Sequence, residues 1–598
     1  MTAPTPEHLP TAIVVEQRPA PSGGEPVRVH AGASGFSAAG AARFVLWAIV
    51  AVPALYQIGL LVQAIAGRVA YPYDLEWMEG GMLHHALRIG LGEGIYVAPS
   101  VDFIPYLYTP LYPTLLALFG TPFGISYLLG RVISIAALTG IAVVALASFA
   151  GPRHRHAGAT VAGFVLALGL FAACYPYVEG WYDVVRADTL FLFMITAGLV
   201  GLPQWAHSDV GVVGQGKVAA GAAVMALAFF CKQTAIFYVA FGGAIVAVVN
   251  WRRAPTYVAV AGVLGLGGTW ILNRATSGWF WTYVSEIHRA HDFNIDRFTV
   301  SFRNILWHFP AATIVIVVTA LVVGATAART RATPPGSRPF LLWSAAYVVS
   351  TVVGAVGWGT EFAHFNAYMP ALLHGSLAAG AAVPAMVGCA RRLGGERRHT
   401  EAVATLCALA AAIPLAVTCA TARWQPARFI PTAADVAAGD RLIQHLRSID
   451  GDVWMPSHPW YLQLAGKTPH VHRMGIKDVT TRQTRAIAGL DDGLRNHRFA
   501  AIVLDNRDLN TELDAIVRYY HLASLLPGDE QPRLYTGATV VPQAIWLPNP
   551  APAAPAPGTG TRANPAGKSP RGSRVPPGEA GDDREAEVVT EGDRHSEN

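Results

Sequence analysis

Leu107-Tyr-Thr-Pro-Leu-Tyr-Pro-Thr-Leu-Leu-Ala-Leu-Phe119 is an apolar run that invites reading as a membrane helix. Whether it crosses decides which side every later loop faces. A spanning helix needs about 20 apolar residues to match a hydrocarbon core of about 30 Å. This run is shorter and carries Pro110 and Pro113, which interrupt a helix ladder. The basic residues give an independent criterion. Arg153-His154-Arg155, Lys217, Trp251-Arg252-Arg253, the Arg329 to Arg338 loop and the Arg391 to Arg398 cluster fall on every second connection only if 107–119 does not cross. Basic loops stay on the cytoplasmic side. The run is therefore expected to be a juxtamembrane or re-entrant helix at the outer face. The N-terminus is expected in the cytoplasm, with the loops 71–124 and 273–309 and everything after 421 outside.

The apolar runs that remain predict about eleven spans, at 44–67, 125–150, 158–176, 188–205, 217–231, 233–250, 255–272, 310–328, 340–357, 366–388 and 401–420. Composition agrees: 52% of the 598 residues are hydrophobic, 14% are charged, and the mean hydropathy is +0.35. A soluble domain carries about 25% charged residues. The net charge of +5 is too modest to suggest a nucleic-acid partner. The five cysteines, Cys174, Cys231, Cys389, Cys407 and Cys419, show no Cys-x-x-Cys spacing and predict neither a disulfide framework nor a zinc site.

Residues 1–42 are rich in Pro, Ala and Gly and have no secretory apolar core, so they read as a disordered cytoplasmic tail. The membrane part is expected over 43–421. Over 422–546 the composition becomes that of a soluble chain. A helix near 433–448, a strand at Gly451-Asp-Val-Trp-Met455, a helix near 482–497, a strand at Ala500-Ala-Ile-Val-Leu-Asp505 and a helix at Leu513 to Leu522 predict a small extracytoplasmic α/β domain. Residues 547–598 cannot bury a core and read as a second disordered tail. There is no solenoid repeat and no glycine-rich phosphate loop.

Four polar clusters are expected at the outer face. Tyr73-Asp74-Leu75-Glu76-Trp77-Met78-Glu79 places three carboxylates within six residues, followed by aromatic and proline residues through Tyr112-Pro113. Asp183, Arg186 and Asp188 precede an apolar run, Lys232 separates two, and Glu361 and His364 precede another. Helix capping, interface anchoring and structural ion pairing would each explain part of this pattern. Ionisable residues at membrane depth are nevertheless costly and mark a site by default.

The acidic first loop and its Pro/Tyr continuation resemble the GT-C superfamily of membrane glycosyltransferases, in particular the protein O-mannosyltransferase and aminoarabinose-transferase type of bacterial family. Arg186-Ala-Asp188, opening an apolar helix, is similar to the second acidic motif of those proteins, and Lys232 falls where some carry a basic residue. The resemblance covers about 44–390, and the α/β domain is similar to one that many members append. Asp74-Leu75-Glu76 separates acids that sit adjacent in the family, so Asp74, Glu76 and Glu79 all stand as candidates for the base.

The resemblance implies transfer of a sugar from a polyprenyl-phosphate donor to an extracytoplasmic glycan, lipid or protein. A loop carboxylate would take the acceptor proton. Arg186, Asp188, Asp183, Lys232, Glu361 and His364 would bind substrate, and cations among them would stabilise the departing phosphate. The superfamily leaves a divalent metal open as a cofactor. His288-Arg-Ala-His291 and His470-Val-His472 have spacings that zinc can use, but no carboxylate or thiol framework completes either. Two other classes remain open: a secondary transporter, and a non-catalytic scaffold that binds a lipid-linked precursor. Transporters place polar groups at the bilayer midplane in repeated halves, whereas these clusters gather at one face.

Overall fold

The computed structural model describes residues 38–150, 157–207, 212–395, 399–480, 485–505 and 514–550. Residues 1–37 and 551–598, the Arg153-His154-Arg155 connection, and Arg397 with Arg398 lie outside them. Residues 38–42, read from sequence as tail, already belong to the first helix.

The helices follow the apolar runs. They are α1 (Ala38–Arg68), α2 (Glu79–Gly90), α3 (Leu111–Phe123), α4 (Tyr127–Phe149), α5 (Ala157–Ala173), α6 (Ala187–His207), α7 (Val212–Cys231) and α8 (Ala235–Asn250). Next come α9 (Ala254–Gly262), a π turn, α10 (Gly268–Ala275), and the single turns α11 (Trp279–Trp281) and α12 (His288–Ala290). The bundle ends with α13 (Ile295–Leu306), α14 (Pro310–Thr330), α15 (Ser337–Gly359), α16 (Met369–Gly394) and α17 (Thr400–Thr421).

Nine stretches among the described residues are long and apolar enough to cross a membrane, and Leu111–Phe123 and Ala157–Ala173 are shorter apolar helices. The stretch Ala235–Ala275 folds back on itself. Asn250 is extended, and the Tyr257 hydroxyl donates to the Val239 carbonyl at 2.7 Å, which a straight helix would place about 27 Å away. The expected spans at 233–250 and 255–272 are thus the two arms of a hairpin. With 13 residues, α3 is about 20 Å long, short of a hydrocarbon core.

Exposed Val248, Leu266 and Leu321 show that the bundle turns apolar side chains outward, as a lipid-facing surface requires. At its centre α16 is buried along nearly its whole length, packed on α5, α14, α15 and α17. Small residues permit this. A Cβ added to Gly163 on α5 would collide with the Gly380 carbonyl on α16, and one added to Gly380 with the Gly163 carbonyl.

After α17 the chain forms α18 (Ala433–Ser448), β1 (Val453–Trp454), α19 (Pro459–Leu464), α20 (Arg473–Thr480), α21 (Leu490–Arg495), β2 (Ala501–Asp505), α22 (Asp514–Tyr519), β3 (Tyr520–Leu525) and β4 (Pro542–Pro548). The sheet order is β1-β2-β4-β3, with β1 and β2 parallel and the other pairs antiparallel. Two sequence expectations are corrected here. The helix expected near 482–497 begins only at Leu490, after Gly489 adopts a left-handed φ of 76°, and 481–484 lie outside the described residues. The helix expected at Leu513 to Leu522 stops at Tyr519, where the chain enters an edge strand that buries only Tyr520. The strand β4, flanked by prolines, was not anticipated. This part and the bundle form one compact unit extending to Asn549.

Gly163→Val should lower stability by about 1–3 kcal/mol through overpacking, read as a lower melting temperature in detergent. Gly262→Ala, where an added Cβ meets nothing within 4 Å, should leave it unchanged or slightly raised.

Candidate active site

The three carboxylates of the first loop are fully buried, and each meets a cation from a different part of the chain. Glu79 opens α2 and is gripped at both oxygens by Arg131 of α4, at 2.7 and 3.1 Å. It also accepts from the Leu75 amide at 2.7 Å and the Val185 amide at 2.8 Å. Arg131 continues to the carbonyls of Tyr71 and Tyr73. Glu79 thus has both oxygens committed to fixing the loop.

Asp74 is tied in the other direction. One oxygen accepts from the Gly80 amide at 2.9 Å, and the other lies 2.7 Å from His458 Nδ1. The far ring nitrogen of His458 lies 3.0 Å from Asp505 at the end of β2. Burial pushes the Asp74 carboxyl up, opposed by His458. Burial pulls the imidazole down, but the carboxylates of Asp505 and Asp74 outweigh it and lift the group to about 10.

Glu76, between these ties, is less committed. Its Oε2 meets Arg186 at 3.1 Å and the Met78 amide at 3.2 Å, while its buried Oε1 has no hydrogen-bond partner. Burial lifts its carboxyl to about 7 against the pull of Arg186. Arg186 donates to the Tyr108 hydroxyl at 2.7 Å and lies over the rings of Trp181 and Tyr108, 5.0 and 5.2 Å from their centroids. Its Nε is also buried without a partner.

Two residues beyond Arg186, Asp188 accepts from Lys232 at 2.5 Å and from Asn366 at 3.0 Å. These contacts bring the starts of α6 and α16 and the end of α7 to one end of the bundle. The Lys232 side chain is 16% exposed, so this pair is reachable from outside the protein. Asp183 has a structural environment: Arg68 holds it at 2.6 and 2.8 Å, and Tyr175 donates at 3.0 Å. His364 lies 2.9 Å from Glu179, with its ring 5.7 Å from Trp181. Glu361 accepts from the Asp292 amide at 3.1 Å. The structure therefore joins Glu76, Arg186, Asp188 and Lys232 into one cluster. It commits Asp74, Glu79 and Asp183 to ties, and sets Glu361 and His364 on the neighbouring loop.

Arg131, His458 and Asp505 were missed from sequence, because each reaches the site through the fold. Tyr108, Trp181 and Asn366 lie inside the polar clusters of the sequence but were not singled out as site residues. Among the described residues, no group of three or more His, Cys, Asp or Glu side chains is arranged to hold a metal ion. His291 lies 3.3 Å from Asp478, His470 lies 2.9 Å from Asp452, and His472 meets the Trp77 carbonyl at 3.1 Å. Those residues do not fit a metal cradle. A mainly apolar cavity of about 760 Å³ opens beside the loop, lined by Pro72, Leu87, Ile125, Leu128, Trp460 and Leu464 among others.

The fold, a polytopic bundle followed by a small sheet domain, has a counterpart among solved structures. The structure is similar to that of the aminoarabinose transferase ArnT from Cupriavidus metallidurans bound to undecaprenyl phosphate. The TM-score is 0.50 at 14% identity, covering 84% of this chain and 97% of that one. The apo form of that protein gives a TM-score of 0.48 at 14% identity over 85% and 98%. The archaeal oligosaccharyltransferase AglB from Archaeoglobus fulgidus, in complex with an inhibitory peptide and a dolichol-phosphate, gives 0.41 at 12% identity over 75% and 69%. At 14% identity the likeness to the undecaprenyl-phosphate-bound structure is one of fold alone. No family model and no curated protein matches the sequence.

Arg131→Met strands Glu79 as a buried uncompensated charge and should cost about 3–5 kcal/mol, read as melting in detergent. Adding Glu79→Gln should recover part of that loss. A double variant that melts no higher than the single would assign the effect to the Tyr71 and Tyr73 carbonyls instead.

Proposed function

We propose that this protein is a glycosyltransferase that moves a sugar from a polyprenyl-phosphate-linked donor to an extracytoplasmic acceptor: a cell-envelope glycan, lipid or protein. The observation that carries the reading is Glu76, a buried carboxylate with one unpartnered oxygen beside Arg186, at the end of the bundle where Lys232 and Asp188 also meet.

In this reading the acceptor hydroxyl gives its proton to Glu76 as its oxygen bonds to the sugar C1. The bond from C1 to the phosphate oxygen breaks, and the polyprenyl phosphate leaves with the bonding pair. A general base contributes most when its pKa lies near the working pH, and burial holds Glu76 there. Arg186 and Lys232 supply positive charge for the leaving phosphate, and their desolvated surroundings strengthen that interaction. Asp74 and Glu79 fix the loop on either side of the base. The apolar cavity beside the loop offers a seat for an apolar chain.

The same reading places the protein in the cell membrane, with its N-terminus cytoplasmic and its α/β domain outside. Support comes from the end of the bundle opposite the cluster, which carries Arg252, Arg253, Arg329, Arg338, Arg391 and Arg392.

Sugar transfer from a polyprenyl-phosphate donor should fall by about 10²–10⁴ in Glu76→Gln, with folding intact. Because a base works ionised and burial holds Glu76 up to about 7, wild-type kcat/KM should rise with pH through that value. The variant should lose that limb. Lys232→Ala should chiefly raise the donor KM. A folded wild-type protein that consumes no such donor would sink the reading and favour a transporter or scaffold.

An impermeant thiol reagent applied to whole cells should label Asp492→Cys, an exposed position in α21 beyond the last membrane helix, and spare Arg392→Cys. The reverse pattern would invert the orientation.

A further inference from the structure

We infer that His458 is a positioning residue for the reaction centre, acting through Asp74, and that the docked α/β domain is thereby a working part of that centre; the inference rests on the proposed function.

The residue lies immediately before α19, in the α/β domain, and is fully buried. Its two ring nitrogens lie within hydrogen-bond distance of two carboxylates, Asp74 at 2.7 Å and Asp505 at 3.0 Å. A ring between two carboxylates is favoured as the imidazolium, in which both nitrogens donate, and the two acids lift His458 accordingly. The ring is held flat against Tyr461, with centroids 4.9 Å apart and planes 14° apart. The Tyr461 hydroxyl in turn accepts from the Asp74 amide at 3.3 Å. His458 therefore has one orientation available, and it fixes the Asp74 carboxylate.

Asp74 carries that constraint to the reaction centre. Its other oxygen accepts from the Gly80 amide, closing the segment 74–80 into a loop with Glu76 inside it. The α/β domain adds backbone bonds to the same loop. The Leu75 carbonyl accepts from the amides of Tyr535 and Thr536, at 3.0 and 2.9 Å. The His472 ring meets the Trp77 carbonyl at 3.1 Å. The loop is gripped by the domain on one side and by Arg131 and Arg186 on the other.

A buried ionic bridge is a weak way to gain stability, since apolar packing of the same volume often does as well. What this bridge supplies is direction. It ends on the carboxylate two residues before the candidate base, and a base displaced by about 1 Å can lose about 10²-fold in rate. Lys232, Asp188 and Asn366 lie outside this bridge, so donor binding need not change when it is cut.

The test uses the full-length protein in detergent with His458→Ala and Asp505→Asn, the second keeping shape while removing one charge. Amide hydrogen exchange over 74–80 should accelerate in both variants, more in His458→Ala, while the peptides of α16 stay protected. The kcat per folded molecule should fall by about 10- to 100-fold in His458→Ala and less in Asp505→Asn, with the donor KM little changed. Combining the two substitutions should be no worse than His458→Ala alone, because Asp505 acts through the imidazole. Unchanged exchange over 74–80 overturns the inference. So does an activity loss that merely follows the amount of folded protein, or one that appears in the donor KM and leaves kcat intact. If the wild type transfers no sugar, the proposed function fails separately, and the exchange measurement still decides whether His458 holds the loop. If His458→Ala does not fold, Asp505→Asn decides by the same two readouts.

Discussion

A carboxylate removed from water must find a cation or take up a proton, and the first loop buries three carboxylates within six residues. Much of the structure around it answers that requirement. Glu79 draws Arg131 from a membrane helix, Glu76 draws Arg186 from the turn before α6, and Asp74 draws His458 from beyond the last membrane helix. A fourth pair, Arg68 with Asp183, locks the end of α1 to that same turn and reaches Thr536 of the α/β domain. These pairs bring bundle and α/β domain together within one compact unit.

The four pairs differ in how completely they satisfy their acids. Glu79 and Asp183 are held at both oxygens, a geometry that fixes orientation. Glu76 is held at one. The cluster thus combines a rigid frame with a single carboxylate whose second oxygen is open to a new partner. Preorganised electrostatics of this kind lets charge move during a reaction without the surroundings having to reorganise.

The bundle was legible in the sequence because lipid demands long apolar runs, and the basic blocks between them mark alternate ends. The shortness of 107–119, with its two prolines, likewise separated α3 from the long helices. The α/β domain was read less well, for a physical reason. Apolar residues at β2 are buried on both faces and announce a strand, whereas β3 is an edge strand exposing five of its six residues. Without a burial pattern it looked like a continuation of α22. At the site, the acidic residues were visible because they cluster in sequence. Their partners were not, because Arg131, His458 and Asp505 look like any other polar residue until the fold delivers them. Sequence could therefore nominate Asp74, Glu76 and Glu79 together, and it took the partners to distinguish them.

The sequence separations of these pairs also set an order of assembly during synthesis. Arg131 follows Glu79 by 52 residues, Arg186 follows Glu76 by 110, and His458 follows Asp74 by 384. At about 5–20 residues per second, the ribosome needs about 20–80 s to travel from Asp74 to its partner. Through that interval the membrane helices can enter the bilayer one after another while the Asp74 carboxylate stays hydrated. The loop reaches its buried arrangement, with Asp74 on His458, only when the last part of the chain has been made and folded. A nascent chain truncated just before residue 458 would thus carry every membrane helix of the described residues and a loop whose Asp74 carboxylate still lacks its imidazole.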